Sequence, residues 1–237
     1  MHIFRRLLRN IIRFCLGFMI SFVPMSTEAG AWQRDKGSGF ISLSGHYTER
    51  LPDIFGYGAG TDRYVSLYAE YGLRPNLTLG LEAGKELDGE RRTFVFTQKP
   101  IRQSDRGVQV TYGAGAGMIG DISWSVLRLS LGLGLPRGWA AAEGQVLLQN
   151  PEPGVVYDEI IYDWKLDVTY GRNFRKGRKG IVQLQTSRAF DEVMTVKFAP
   201  SYVMPLAGEK LHLEAGAAFG VKGETSRGLK FALWYAF

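Results

Sequence analysis

Two side chains that could act together as a nucleophile and a base lie on one short stretch of the sequence. Ser44 and His46 are two residues apart, so both point to the same face of an extended chain. A hydroxyl activated by a neighbouring imidazole is the arrangement of a hydrolase, here one that would act on lipid. Such an enzyme also needs a third group that orients the histidine, and the spacing identifies none. A polar lining is the alternative interpretation of the pair, and we favour it.

A glycine-rich stretch matches the sequence motif of a dinucleotide-binding site. Gly115, Gly117 and Gly120 have the spacing of this motif, which needs a following helix to hold the pyrophosphate. From Ile122 onward the sequence starts another alternating run instead of a helix. Glycines on a strand that faces a crowded interior are therefore the better explanation. Cys15 is the only cysteine, and we expect no cofactor and no cysteine-based metal site.

Charged side chains recur at every second position in several segments, opposite a run of apolar ones. Leu127, Leu129 and Leu131, for example, alternate with Arg128 and Ser130. A period of two places the charged residues together on one face of a strand. Both signs occur, so this face could be neutralised by ion pairs in a narrow interior or could line a polar pore. The residues predicted to line the interior are Glu70, Glu82, Arg128, Glu143, Asp163, Lys165, Asp167, Lys197, His212, Glu214 and Lys230.

Twelve such alternating runs follow residue 31, separated by turn-forming residues such as Pro136 to Gly138. The run at 91–98 is the weakest, and the stretch 99–106 after it is an untidy turn. Composition does not change between residues 32 and 237, and we find no linker there. These residues are therefore predicted to form a single domain. The predicted strands are 37–47, 63–72, 76–86, 91–98, 107–118, 123–135, 138–149, 157–171, 179–188, 193–203, 210–220 and 228–237.

These runs are typical of a membrane barrel rather than a soluble sandwich. Strands of about 9–11 residues can cross a bilayer at a tilt, whereas soluble strands average about 5–6. Tyrosines gather near the strand ends, where a membrane interface favours them, and the second face is small or charged, as a lumen requires. An open sheet edge cannot exist in lipid, so the sheet must close. The prediction is all-β, a transmembrane antiparallel up-and-down β-barrel of about twelve strands; an ordinary soluble antiparallel protein is the alternative.

Residues 1–31 have the pattern of a secretory signal peptide. Four arginines precede an apolar stretch at 15–25, and small residues follow it. Cleavage after Ala29 or after Ala31 would suit a signal peptidase. The apolar stretch is too short for a spanning helix, which needs about 20 residues. Removing the four arginines and Glu28 lowers the formal charge from +6 to +3, which is too small an excess to indicate a nucleic-acid partner.

The last strand carries a resemblance to a known class of proteins. Residues 229–237 read Leu-Lys-Phe-Ala-Leu-Trp-Tyr-Ala-Phe and end on Phe237. This pattern resembles the terminal strand of Gram-negative outer-membrane β-barrel proteins, and residues 31–40 are similar to the first strand of small bacterial barrels of unassigned role. The resemblance implies that the protein lies in the cell outer membrane, in contact with its lipid. It also implies that the barrel-assembly machinery recognises Phe237.

A barrel with a polar interior and no catalytic constellation indicates transport. The favoured hypothesis is a passive channel or transporter for small polar solutes, and not an enzyme. A non-conducting structural or surface-binding barrel is the alternative, with its activity in the loop at 48–62 around Phe55 and Tyr57. An outer-membrane lipase or deacylase built on Ser44 and His46 is a third alternative. Twelve strands fall between the packed eight-stranded barrel and the open sixteen-stranded porin, so barrel size does not choose between them.

Overall fold

The strands of the chain form a closed ring. The computed structural model describes residues 30–50, 60–87, 89–103, 107–151 and 159–237. Within these ranges twelve strands pair antiparallel with their sequence neighbours, and the last strand pairs with the first, which confirms the predicted transmembrane antiparallel barrel. The strands are β1 (Gly39–Arg50), β2 (Gly60–Arg74), β3 (Leu77–Glu86), β4 (Arg91–Arg102), β5 (Val108–Ile119), β6 (Ile122–Leu135), β7 (Gly138–Gln149), β8 (Tyr162–Asn173), β9 (Lys179–Arg188), β10 (Thr195–Ala207), β11 (Leu211–Lys222) and β12 (Ser226–Ala236).

The two ends of the barrel differ in their chain connections. At one end, the Gly39 N–H donates to the Phe237 carbonyl at 2.8 Å and the Phe237 N–H donates to the Gly39 carbonyl at 3.0 Å. We call this the terminal end. The opposite end, where β1 finishes at Arg50 and β12 begins at Ser226, is the loop end. The loop with Phe55 and Tyr57, proposed above as a contact surface, lies outside the described residues.

The outer surface of the barrel is apolar on every strand. On β1, Leu43 is 49% exposed, whereas its neighbour Ser44 is 7% exposed, as the period of two requires. Closure of the ring pairs the backbone groups of every strand, which is the condition for crossing hydrocarbon. Exposed apolar side chains on the twelve strands include Leu43, Val65, Leu79, Val95, Tyr112, Leu129, Val146, Val168, Leu184, Phe198, Phe219 and Leu233.

The described ranges contain no helix with the length and hydropathy that a membrane-crossing helix needs.

β4 extends further than its alternation predicts. It continues to Arg102, so the first half of the stretch expected as a turn is strand. The pairing with β5 shifts between Pro100 and Arg102, and this bulge accommodates a proline that has no N–H for the ladder. The bulge interrupts the period of two, which is why the sequence pattern stops early. β8 begins at Tyr162, later than predicted, and residues 157–158 lie outside the described ranges.

Gly115 and Gly117 of the dinucleotide-like motif belong to β5 and face the interior, whereas Gly120 lies in the turn before β6, with φ 58°. A Cβ on Gly115 would lie 2.6 Å from the Cα of Phe96, and a Cβ on Gly117 would lie 2.6 Å from the Phe94 ring. Since β6 follows at Ile122, no helix stands where the motif requires one. A Cβ at either position would also meet a backbone carbonyl oxygen of β4, that of Val95 or of Thr93, so the close approach of the β4 backbone favours glycine here.

Two apolar clusters fill part of the interior. Both are made of inward-facing aromatic and aliphatic side chains, whose burial stabilises the barrel from within. The first cluster lies toward the terminal end and consists of Phe40, Trp139, Ile181, Val203, Ala232 and Trp234. The second lies on the wall of β4, β6 and β7 and consists of Phe94, Phe96, Trp124, Val126 and Leu147.

Candidate functional site inside the barrel

Three charged side chains from three strands meet on one wall of the lumen. One carboxylate oxygen of Glu82 on β3 lies 3.4 Å from Nη2 of Arg92 on β4, and the other lies 3.5 Å from Nη1 of Arg128 on β6. The Arg128 guanidinium also lies over the Phe96 ring, 4.1 Å from its centroid, in a cation–π contact. One acid thus faces two guanidinium groups, and this trio carries a net positive charge.

Two lysines on the other side of the ring are each paired with an acid. Lys165 Nζ lies 2.9 Å from Oδ2 of Asp167, two residues along β8. Lys230 Nζ on β12 lies 2.9 Å from Glu214 on β11. The Lys165 side chain is 51% exposed, whereas the Glu214 side chain is 3% exposed. The lumen is therefore open to water beside Lys165 and closed around Glu214.

A further ion pair lies at the loop end. Oε1 of Glu224, in the turn between β11 and β12, is 2.7 Å from Lys197 Nζ and accepts a hydrogen bond from the Ser226 hydroxyl at 2.8 Å. Burial raises the pKa of the Glu224 carboxyl, but the hydrogen bond and charge of Lys197 outweigh it and hold the pKa below its ordinary value. Lys197 and Ser226 therefore both favour the ionised form of the Glu224 carboxyl.

The eleven residues predicted to line the interior occupy inward-facing register positions, but they do not form one site. Glu70 and His212 lie toward the terminal end and are 3% and 5% exposed. Asp163 lies toward the loop end, where its carboxylate accepts the Phe190 backbone N–H at 2.9 Å. The remaining eight are distributed around the wall between these levels.

Several residues of the lumen were not predicted from the sequence. Arg92 belongs to β4, the weakest of the predicted strands. It is two residues from Phe94, and this spacing was the available signal that both share the inward face. Tyr68 points inward and donates its hydroxyl to Oε1 of Glu70 at 2.7 Å. Arg34 precedes the first strand, and no periodicity there marks it as a lumen residue.

Residues 30–38, which we call the N-terminal segment, fold back into the terminal end of the lumen. Nε of Arg34 donates to Oε2 of Glu70 at 2.7 Å, and these side chains are 10% and 1% exposed. The Gln33 side-chain amide lies 2.8 Å from Oγ1 of Thr78 on β3. The segment is thus held by polar contacts to β2 and β3.

Trp32 completes the packing of the terminal end. Its side chain packs against the first apolar cluster, which draws residues from β1, β7, β9, β10 and β12. On β6, a Cβ at Gly132 would lie 2.6 Å from the Trp32 ring. Glycine is needed at this position because any larger side chain would overlap the ring. The N-terminal segment therefore contacts both sides of the ring and narrows the lumen at this end.

Ser44 and His46 form the close pair expected from their spacing. Oγ of Ser44 lies 3.3 Å from Nε2 of His46 and 2.7 Å from Oγ of Ser66 on β2. The His46 ring stands edge-on to Tyr64, with 6.0 Å between the ring centroids. All four side chains face the lumen, away from the surface that meets lipid. This position agrees with a polar lining and does not present the pair to a membrane lipid.

Comparison with known proteins identifies a shared fold. No family model matches the sequence, and no curated protein matches it. An outer membrane channel from Pseudomonas putida F1 has a TM-score of 0.64 at 9% identity, over 88% of this chain and 98% of that one. The NanC porin gives 0.63 at 8% identity, over 82% and 98%. The KdgM porin gives 0.57 at 9% identity, over 83% and 99%.

The fold therefore places the chain among transmembrane β-barrels built like outer-membrane porins and channels. At such low identity the likeness concerns architecture, because one fold can serve many functions. A second structure of the KdgM porin holds that protein in complex with disordered oligogalacturonate. The present barrel combines charged side chains on two walls of its lumen with a packed terminal end.

Proposed function

We propose that this protein is an outer-membrane channel for the passive passage of small polar solutes. The observation that carries the proposal is the charged inner wall: Glu82 with its two arginines faces water-accessible Lys165 across a lumen enclosed by an apolar outer belt. A polar wall lowers the cost of moving a hydrated or dipolar solute through a bilayer. The signal-peptide pattern supports export, and the terminal end would then face the periplasm.

The arrangement of charges favours dipolar solutes over strongly charged ones. Lys165 and Lys230 each have an acid 2.9 Å away, so much of their field is cancelled locally. Arg128 and Arg92 share one acid and leave an unbalanced positive charge on the opposite wall. A dipolar solute with several hydroxyl groups would find hydrogen-bond partners on both walls.

Conductance in planar bilayers tests this function. We expect the purified barrel to give discrete conductance steps and Arg128→Glu to shift their ion selectivity toward cations. Arg227→Glu makes the same charge change on the outward face of β12, where the side chain is 61% exposed, and should leave selectivity unchanged. Equal effects of the two variants, or no effect of either, would contradict a route past Arg128.

A non-conducting, surface-binding barrel is the second candidate, and the packed terminal end favours it. Trp32 and the first apolar cluster occupy the level that a solute would have to pass. If this packing only narrows the channel, Trp32→Ala should raise conductance severalfold. The matched control is Trp164→Ala, which removes an outward-facing tryptophan of β8. Silence of wild type and Trp32→Ala at every voltage would favour the non-conducting barrel.

The proposal includes the partners expected of an outer-membrane protein, which are the lipid and the barrel-assembly machinery. Phe237 is 44% exposed and stacks on Tyr235 with 5.7 Å between ring centroids, at the seam of β1 and β12. Phe237→Asp should lower the folded, heat-modifiable fraction in outer-membrane preparations because a charge replaces the ring. Ala236→Ser, on the inward face, should assemble like wild type. Normal assembly of Phe237→Asp would remove this support for the machinery's role.

A further inference from the structure

The first described residue of the N-terminal segment is built into the barrel wall. The carbonyl of Gly30 accepts a hydrogen bond from the Thr111 hydroxyl at 2.7 Å and another from the Gln98 amide. Gln98 and Thr111 are 4% and 1% exposed, and they are 2.7 Å from each other. Two buried donors thus converge on one backbone oxygen, and they would lose this acceptor if Gly30 were absent.

Ala31 is also part of the folded barrel. It is 1% exposed, and a Cβ on Gly132 would lie 2.7 Å from the Ala31 Cβ. A chain that began at Trp32 would leave a cavity beside Gly132 and would expose the cradle of Gln98 and Thr111. Of the two cleavage positions compatible with the sequence, the one after Ala29 keeps these contacts, and the one after Ala31 removes them.

A carboxylate lies where the new chain terminus would be. The Glu143 side chain on β7 occupies the space beside Gly30, with its Cδ 2.7 Å from the position of a Gly30 Cβ. In the register, Glu143 is paired with Asp167 on β8, so a second acid is its neighbour. A partly buried carboxylate beside another acid is stabilised by a nearby cation.

We propose that the leader is cut between Ala29 and Gly30 and that the resulting α-ammonium group of Gly30 pairs with the Glu143 carboxylate inside the barrel. Hydrolysis of the peptide bond by a signal peptidase consumes one water and gives the Ala29 carboxylate and the Gly30 amine, which takes a proton. This inference rests on the export that belongs to the proposed function. It gives the N-terminal segment an ionic contact at its tip, in addition to the Arg34–Glu70 pair nearer the rim.

The segment reaches this position by running inward from the rim. Gly37 donates its N–H to the Gly72 carbonyl at 2.8 Å near the end of β2, and Gly30 lies beside β4, β5 and β7. Cleavage before Gly30 replaces an amide with a group of three hydrogen-bond donors beside the Glu143 carboxylate.

The first test is the amino terminus of the protein purified from outer membranes, read by N-terminal sequencing and intact mass. We expect Gly30 as the first residue. A start at Trp32 would overturn this inference and leave the channel proposal standing. A chain that retains residues 1–29 would overturn both the pairing and the export on which it rests.

The second test measures how fast an amine-reactive acylating reagent labels the Gly30 α-amine in the folded barrel. In wild type this amine should react at least tenfold more slowly than in the unfolded chain. Glu143→Gln should raise its rate severalfold, while the matched control Glu82→Gln, on another part of the wall, should not. Equal rates in wild type, Glu143→Gln and Glu82→Gln would overturn the pairing. Because labelling needs no conductance, its outcome is separate from that of the channel test.

Discussion

The two halves of the lumen are built from the same alternating strands but are lined by different side chains. Toward the terminal end, inward positions carry Phe40, Trp139 and Trp234, and the N-terminal segment fills the remaining space. Toward the middle and the loop end, inward positions carry paired charges next to the second apolar cluster, and Lys165 is half exposed. The terminal half is packed from several sides of the ring, whereas the other half is packed on the wall of β4, β6 and β7 and carries charges on the wall of β8.

The difference shows where a twelve-stranded barrel obtains its internal stability. Twelve strands fall between the filled eight-stranded barrel and the open sixteen-stranded porin, and here the N-terminal segment enters the lumen from the terminal end and packs against the first apolar cluster. The Arg34–Glu70 pair of this half is buried, whereas Lys165 in the other half is half exposed. Changes at the terminal end should therefore affect stability, and changes in the charged half should affect what passes through the lumen.

The largest stability effect should follow from breaking the buried pair at the terminal end. Glu70→Gln leaves the Arg34 guanidinium buried without its carboxylate, and such a loss costs about 3–5 kcal/mol. The free energy of unfolding, measured by urea titration of the heat-modifiable band, should fall accordingly. The double variant Arg34→Met/Glu70→Gln should recover part of the loss because the buried guanidinium is removed together with its carboxylate.

An exposed pair at the loop end provides the control for this change. Arg50 Nη2 lies 2.9 Å from Oδ1 of Asp62, but their side chains are 46% and 39% exposed. Asp62→Asn should cost less than about 1 kcal/mol, since exposed ion pairs are screened by water. Similar losses for Glu70→Gln and Asp62→Asn would mean that the two ends do not differ in packing.

The same comparison shows what could be predicted from the sequence. Alternation assigns Asp163, Lys165 and Asp167 to one face, and closure of the ring decides that this face is the interior. The pairing of Lys230 with Glu214 depends on the register of two strands, which alternation alone does not set. The N-terminal segment has no periodic pattern, so Trp32 and Arg34 carried no local signal of their place in the lumen.

A smaller effect should follow from adding one methyl group at the contact between β6 and the N-terminal segment. Gly132→Ala would place a Cβ 2.6 Å from the Trp32 ring, and overpacking of this kind costs about 1–3 kcal/mol. We expect a lower unfolding midpoint and faster tryptic cleavage after Arg34, because the segment is displaced. Gly134, the next inward position of β6, has no heavy atom within 4 Å of its Cβ position. Gly134→Ala should therefore behave like wild type, and equal effects of both variants would contradict the docking of Trp32.

The smallest expected effect is a pH dependence at the loop end. The pKa of Glu224 lies below its ordinary value because of Lys197, so its contribution to stability is present above the ordinary glutamate pKa of about 4.3 and is lost as the pH falls through the folded-state pKa. Glu224→Gln should lower the unfolding midpoint slightly at pH 7, by less than about 1 kcal/mol for a partly exposed pair, and should match wild type at a pH well below the folded-state pKa. Glu209→Gln, in the exposed turn between β10 and β11, controls for removing one negative charge. The difference in unfolding midpoint between wild type and Glu224→Gln could instead persist unchanged at acid pH. That result would show that packing, rather than the ion pair, holds β10 against the turn between β11 and β12.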